Sequence, residues 1–469
     1  MPGAIAAGHP LTAEAGARVL REGGNAVDAC VAAAAVSWVC ESPLTGPGGG
    51  GFLLVHEAAR GRTHLLDFFV AVPRAAAEGP LLELAVDFDG DTQQRFRTGA
   101  AAVGVPGTAL GLEEAHRRFG TLPWAGLVAP AARLAREGVV LTPAQAYLHR
   151  ILDGLLRHSP EGDAMYGPGR AAAAGERFAL PDLAGTLERI AAEGAAVLYR
   201  GELGERIVAH VRAGGGGLSL DDLAAYRVVH RRPLTAEFRG HELRTNPPPS
   251  SGGLLVALGL RSLGERPPGP REVAAAMEAQ EAVRGPGFVR ALHRGGAAKR
   301  VLAGTTHISV VDGRGDAASL SASLGSGSGV VVPGTGIHLN NMLGEADLTE
   351  RARPGERLTS MMAPSLVLRG GRPRLVLGSA GSARLRGAIL QVTVNVVARG
   401  LGVEEAVEAP RLHVEDGVAH CEDPAVADLL ERAGYPVVRF RRRNLFFGGV
   451  SAVEVRADGS LAAAGDPRR

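Results

Sequence analysis

Aromatic side chains are scarce in this 469-residue chain, at 4%, and so are cysteine, with three, and lysine, with one, Lys299. With so few rings, the core has to be built from aliphatics and from close backbone approach, which 66 glycines permit. Cys30, Cys40 and Cys421 are too scattered for a disulfide framework. The lack of any C-x-x-C pair excludes a zinc ribbon or a dithiol redox site, so a reducing compartment is the simple reading. No long hydrophobic run is present: the longest uncharged apolar stretch, Ala29 to Cys40, is too short to cross a bilayer. Met1 to Pro10 has neither a basic n-region nor a long apolar h-region, so no signal peptide is read and a cytoplasmic protein is expected. Excess charge is also missing, with 51 basic residues against 49 acidic ones and a net +2. Nothing global therefore draws the chain to nucleic acid or to a membrane surface. All the basic residues but Lys299 are arginine, which reads as the mark of a GC-rich genome.

What is there is globular. Apolar residues make up 45% and charged ones 21%, which excludes a disordered chain. The length suits two to three units, or one large sandwich or barrel with decoration. Ala4 to Ala7 reads as a strand and Leu11 to Glu22 as a helix ended by Gly23-Gly24. Asn25 to Trp38 is a helix of small residues on every face, so it should be buried. The glycine run from Gly46 to Gly51 follows a helix and opens the strand Phe52 to His56, the reverse of a dinucleotide fingerprint; it is read as a tight connection. Helices are expected at Thr108 to Arg118, Trp124 to Glu137, Leu183 to Glu193, Gly201 to Ala213, Asp221 to Tyr226 and Leu254 to Leu263. Residues 264 to 303, dense in Pro, Gly and Arg, read as an exposed linker. Beyond it the pattern becomes strand-like, with hairpins at Thr306 to Ser323, Pro364 to Leu377 and Val450 to Ala463 around one apolar helix, Arg384 to Val397. A further helix is expected near Ala425 to Ala433.

Standard catalytic signatures are missing. There is no H-E-x-x-H, no Walker loop and no G-x-S-x-G, and 14 histidines lie without metal spacing, so neither metal nor cofactor is expected. The informative stretch is Gly304-Thr305-Thr306-His307, placed between the linker and a strand. Gly304 leaves its carbonyl sterically open to attack. Were the bond before Thr305 cut, one residue would carry both a hydroxyl nucleophile and an α-amine, whose low pKa suits a general base. On composition alone the ordinary reading prevails, since a Thr-Thr pair opening a β-strand is common.

The surrounding words occur in a specific order: Gly24-Asn25-Ala26-Val27-Asp28, Gly48 to Phe52, Gly104-Val105-Pro106-Gly107, Pro248 to Gly253, Thr305-Thr306-His307, Leu339-Asn340-Asn341 and Gly465-Asp466-Pro467-Arg468. In this ordered set the chain resembles the γ-glutamyltranspeptidase family from about Ile5 to Arg468. The resemblance implies an α+β fold of the N-terminal-nucleophile (Ntn) hydrolase type, a four-layer αββα sandwich of two antiparallel sheets flanked by helices. It also implies autocleavage between Gly304 and Thr305 into a large subunit, 1–304, and a small subunit, 305–469, intertwined in one unit. A homo-oligomer of such heterodimers is left open.

Carried over residue by residue, the resemblance makes Thr305 the nucleophile and gives Ser323 the place of a hydroxyl that holds the freed amine. Gly381 and Ser382 take the place of the oxyanion-binding Gly-Gly, at a helix start where backbone N–H groups favour negative charge. The substrate pocket departs from the pattern. Phe69 stands where an Arg holds the glutamyl carboxylate, and Thr359 and Ser360 replace a serine pair. Gly325, Met342 and Glu345 fall on the ammonium-binding positions. The expectation is a more apolar acyl group, hydrolysis favoured over transfer, poor γ-glutamyl turnover, and improvement by Phe69→Arg. Two further readings stay in play. One is a divergent member acting as an acylase or carbon–carbon hydrolase in secondary metabolism. The other, of a different class, is an uncleaved, non-catalytic binding homologue.

Overall fold

The computed structural model describes residues 3–283, 305–345 and 353–469. Two six-stranded antiparallel sheets form its centre. Across the first run Ala4–Ala7, Thr306–Val311, Ala317–Ser323, Gly50–Glu57, Arg62–Phe68 and Val229–Arg231. Across the second run Leu461–Gly465, Gly449–Val455, Arg372–Ala380, Ser365–Arg369, His241–Thr245 and Leu234–Phe238. Strands from before and after residue 305 share both sheets: they interleave in the first, and in the second His241–Thr245 and Leu234–Phe238 extend a block of four strands from after residue 305.

The sheets face each other through Thr306–Val311 and Ala317–Ser323 on one side and Arg372–Ala380 and Gly449–Val455 on the other. Alternation along a strand assigns each residue to one face. Ile308, Val310, Ala318 and Leu320 point to a core shared with the helix Ala26–Cys40, which packs on these strands. His307, Ser309, Ser319 and Ser321 point between the sheets. There the His307 ring meets Ser321 Oγ at 2.8 Å through Nδ1 and Ser309 Oγ at 3.0 Å through Nε2. Ser319 donates to the Leu377 carbonyl of the opposite sheet at 3.2 Å. A buried polar layer therefore sits where most sandwiches carry aliphatics, and its hydrogen bonds satisfy it. Burial and the cation at Arg469 hold the His307 pKa down at about 3, so the ring is neutral.

The helix Ala26–Cys40 is buried along its whole length, as its small residues require. Asn25 caps it by accepting from the Val27 and Asp28 N–H groups, while the Asp28 carboxylate returns to the Asn25 N–H. Asp312, in the turn between Thr306–Val311 and Ala317–Ser323, accepts from the Ala26 N–H at 3.1 Å and so ties that hairpin to the helix start. Leu385–Val397 lies against Arg372–Ala380 in the second sheet. The glycine run is indeed a tight connection: a side chain at Gly51 would stand 2.4 Å from the Ser321 carbonyl oxygen.

One expectation needs correction. Within the supposed linker, Pro270–Ala282 is a helix that buries Val273, Ala274, Met277 and Gln280. Pro270 starts it, and Glu272 reaches back to the Gly269 N–H at 2.8 Å. Its alanines carry little amphipathic contrast, which hid the period; residues 284–304, Gly304 included, lie outside the described ones. The first part of the chain, rich in helices, also supplies strands to both sheets and a separate hairpin, Leu82–Asp87 with Gln93–Thr98.

Candidate active site

Register places the predicted nucleophile. Thr306 pairs with Ala322, so Thr305, the next residue outward, stands opposite Ser323 at the end of the hairpin. Thr305 is 2% exposed and Ser323 1%. The Ser323 hydroxyl accepts from the Gly325 N–H at 2.7 Å.

Facing them, the strand Arg372–Ala380 ends at Gly381, and Ser382–Arg384 forms a single 3-10 turn that runs into the helix Leu385–Val397. Gly381 has a φ of 115°, and a side chain there would stand 2.6 Å from the Gly448 Cα. Only glycine fits both conditions. The N-terminal end of the helix is thereby brought to the wall of a cavity of about 50 Å³, which Thr305, Gly381, Ser326, Arg384 and Arg469 share. The rest of the wall is mainly apolar. It comes from Val86, Phe88 and Phe96 of the separate hairpin, from Leu148, Ile151 and Leu152 of a helical segment, and from Leu44 and Leu445. A helix N-terminus beside a hydroxyl in such a place can stabilise an oxyanion on a group attacked by that hydroxyl.

Two residues that sequence reasoning passed over hold Thr305 in place. The Arg469 guanidinium donates to the Thr305 carbonyl oxygen at 2.6 Å and to Glu41 Oε2 at 2.9 Å. Glu41, fully buried, also accepts from Thr306 Oγ1 at 2.7 Å and Thr12 Oγ1 at 3.1 Å. Burial lowers the Arg469 pKa and Glu41 opposes that shift. Beside them, Asp466 and Arg468 belong to a buried ion network with Arg411 and Glu422. The word Gly465-Asp466-Pro467-Arg468 was visible in the sequence; its tie to Thr305 was not.

The expected substrate residues do not all gather here. Phe69 stacks on Phe52 with ring centroids 5.4 Å apart. Together with Met342, Leu255 and Met361 it belongs to an apolar cluster, none of these four lining the cavity. Its backbone is held as well: the Phe69 N–H donates to Asp67 Oδ1 at 3.0 Å, and its carbonyl accepts from Tyr226 Oη at 2.8 Å. Ser360 serves the backbone, its carbonyl accepting from the N–H groups of Ser251 and Gly252 at the start of the helix Gly252–Ser262. Thr359 is buried next to it and does not line the cavity. Gly325 and Glu345 are brought close to one another, since a side chain at Gly325 would stand 2.9 Å from Glu345 Oε1. The structure thus unites Thr305 with Gly381 and sets Ser323 and Gly325 beside them, while Phe69, Met342, Thr359 and Ser360 are not among the residues that line this cavity. Among the described residues no group of acidic, His or Cys side chains could hold a metal.

A family model described as gamma-glutamyltranspeptidase matches residues 12–285 and 270–469. The chain belongs to the γ-glutamyltranspeptidase family. Its relatives in that family include the acylase ACY 1 proenzyme of Pseudomonas sp. (strain SE83), 35% identical across 98% of this chain and 91% of that protein. The glutathione hydrolase proenzyme of Pseudomonas aeruginosa (strain PAO1) is 32% identical across 99% of this chain and 93% of that protein. Among solved structures, the cephalosporin acylase of Bacillus halodurans superposes with a TM-score of 0.85 at 26% identity, covering 100% of this chain and 94% of the other. This member of the γ-glutamyltranspeptidase family is therefore an enzyme of the hydrolase and transferase type, with a mixed α/β fold built on antiparallel sheets.

Proposed function

We propose that this enzyme is an autoprocessing Ntn hydrolase with the family's four-layer sandwich, which cleaves an amide through an ester on Thr305. The observation that carries the reading is the shared cavity of Thr305 and Gly381, with Ser323 opposite Thr305 on the adjoining strand. Scission between Gly304 and Thr305 separates residues 1–304 from 305–469, and the interleaved strands keep the two subunits together.

The chemistry then follows from one residue. The freed α-amine of Thr305 takes the hydroxyl proton as Oγ attacks the substrate carbonyl carbon. Backbone N–H groups of Gly381 and Ser382 stabilise the oxyanion. As the carbon–nitrogen bond breaks, the amine passes the proton to the departing nitrogen, leaving an acyl ester. Water attacks that ester, its proton moving through the amine back to Oγ. Hydrolysis outruns transfer, because the cavity wall formed by the described residues is mainly apolar and carries no carboxylate to seat an acceptor amine.

Within this class, an acylase reading is favoured over γ-glutamyl hydrolysis. The wall is mostly apolar, and Phe69, where the family's carboxylate-holding Arg would stand, lies outside it. The substrate is a small molecule, and a cytoplasmic site of action fits the reading.

Intact mass and N-terminal sequencing of the purified protein test the proposal. Two fragments, the smaller reading Thr-Thr-His-Ile-Ser, and an acyl mass shift on that fragment with substrate, are expected. A single 48.3 kDa chain would instead support a non-catalytic binding homologue. A large stimulation of product formation by glycylglycine would contradict the preference for hydrolysis.

A further inference from the structure

The cavity at Thr305 is too small for the reaction it is placed to perform. It holds about 50 Å³, against roughly 300–1,000 Å³ for pockets that bury a small organic ligand. Thr305 itself is 2% exposed. At least one wall therefore has to move in each turnover. Two walls are fixed by the sheets: Thr306 is paired within the first, and Gly381 ends a strand that has a neighbour on either side in the second. The hairpin Leu82–Asp87 with Gln93–Thr98 is different. Its two strands pair with each other in a sheet of their own, yet Val86, Phe88 and Phe96 form part of the cavity wall.

The two ends of this hairpin are held in different ways. Its base is bonded to the body of the molecule: the Arg97 carbonyl accepts from Asn341 Nδ2 at 3.1 Å, and the Gly99 N–H donates to the Ser328 carbonyl at 2.9 Å. Its tip, residues 87–92, is held by charge. Arg150 donates to Asp89 Oδ1 at 2.9 Å and Arg442 to the other oxygen of that carboxylate. Arg441 donates to Asp91 Oδ1 at 2.9 Å and to the Asp89 carbonyl. The side chains of Arg150, Arg442 and Arg441 are 59%, 64% and 69% exposed, so each pair is weak and is screened by salt. The tip is also a turn closed on itself, Asp87 accepting from the Gly90 N–H and from Gln93 Nε2 at 3.0 Å, so it can swing as one piece. The Phe88 ring meets Phe446 edge-on, 6.0 Å between centroids, an apolar contact that a returning tip remakes.

We propose that this hairpin is the lid of the Thr305 cavity. It pivots on its base near Arg97–Gly99, its tip lifts to admit substrate and release product, and Arg150, Arg441 and Arg442 latch the tip shut through Asp89 and Asp91. Its role in admitting substrate rests on the amide-hydrolase reading above; the motion can be measured without turnover.

The test places a thiol under the lid. Val86→Cys changes little volume at a site 3% exposed, and the native Cys30, Cys40 and Cys421, all buried, report any global unfolding. Labelling by N-ethylmaleimide under native conditions then follows the open fraction. Its rate at the introduced thiol should rise ~5- to 30-fold between ~0.01 M and ~1 M salt, as the Debye length falls from about 30 Å to about 3 Å. Asp89→Asn/Asp91→Asn, added to Val86→Cys, should give the fast rate at low salt and remove most of the salt response. Asparagine tolerates the φ of 59° at Asp89, so the turn is kept. A rate that ignores both salt and the two carboxylates would overturn the lid, as would labelling of the introduced thiol only together with the native cysteines. Should the Asn variant not fold, the salt series on Val86→Cys decides. Gating is read from Asp91→Cys/Arg441→Cys joined by a short, reducible bis-methanethiosulfonate. With the tip tethered, kcat/KM should fall at least ~10-fold and return with reductant, whereas full turnover in the tethered enzyme would overturn the lid. If no amide is cleaved at all, the hydrolase reading fails on its own, and the labelling rates still decide whether the hairpin opens.

Discussion

Arg469 and Thr305, at opposite ends of residues 305–469, meet through a guanidinium-to-carbonyl hydrogen bond of 2.6 Å. The same guanidinium neutralises Glu41, so one cation secures both the candidate nucleophile and a fully buried carboxylate. Arg469→Ala should therefore lower stability by roughly 3 kcal/mol, measured by urea unfolding, because Glu41 is left without its counter-charge. The double variant Arg469→Ala/Glu41→Gln should be more stable than the sum of the single losses predicts. Strict additivity would show that the pair is not coupled.

Thr305→Ala should give a folded, uncut chain. The substitution removes a hydroxyl and a methyl group at a strand end and opens no large cavity, so its unfolding midpoint should stay close to that of the parent. Gel electrophoresis reads the result, and cleavage before residue 305 in this variant would end the nucleophile assignment.

Gly381→Ala should lose activity and stability together. The φ of 115° is strained for alanine, by roughly 1–3 kcal/mol, and its Cβ would meet Gly448 at 2.6 Å. Denaturation midpoint and turnover, measured on one preparation, check this. Full activity with Ala would mean that the turn has no part in stabilising an oxyanion.

Phe69→Arg, expected from the sequence to improve γ-glutamyl turnover, should instead destabilise the fold. Phe69 is 1% exposed and stacked on Phe52 in an apolar cluster, so a guanidinium there would be buried without a partner. Poor soluble yield is the expected outcome. A well-folded variant with raised kcat/KM on γ-glutamyl-p-nitroanilide would show that the side chain reaches the cavity after all.

Stability should fall as pH drops below about 6.5. Burial holds His307 and His338 at about 3 and His149 at about 4, against 6.5 for a free imidazole. Between those values the unfolded chain binds protons that the folded chain does not, so acid favours unfolding, and the contribution is fully present above pH 6.5. Thermal melts from pH 7.5 to 4.5 should show the decline, and His307→Asn should flatten it. A pH-independent midpoint would contradict the burial of these rings in neutral form.

Much of the frame could be read from the chain alone, because it rests on local chemistry. The buried helix after Asn25 follows from small residues and a capping box. The hairpin Thr306–Ser323 follows from period-two alternation about a turn at Asp312, and its register alone brings Thr305 opposite Ser323. The ordered words that mark the family are also properties of the linear sequence.

Tertiary structure decided the rest. The cavity wall combines residues from near 86, 150, 305, 384, 445 and 469, and no spacing rule links them. Phe69 follows Asp67-Phe68 as a substrate residue would, yet the stacking partner Phe52 across the sheet draws it into the core. Arg384 reads as an ordinary helix start; only packing against Phe446 and Gln94 removes its water without giving it a counter-charge. Local periodicity fixes which face a residue takes, since that depends on its neighbours in sequence. Whether the face meets core, solvent or substrate depends on long-range contacts, and the energies of buried charges are set there.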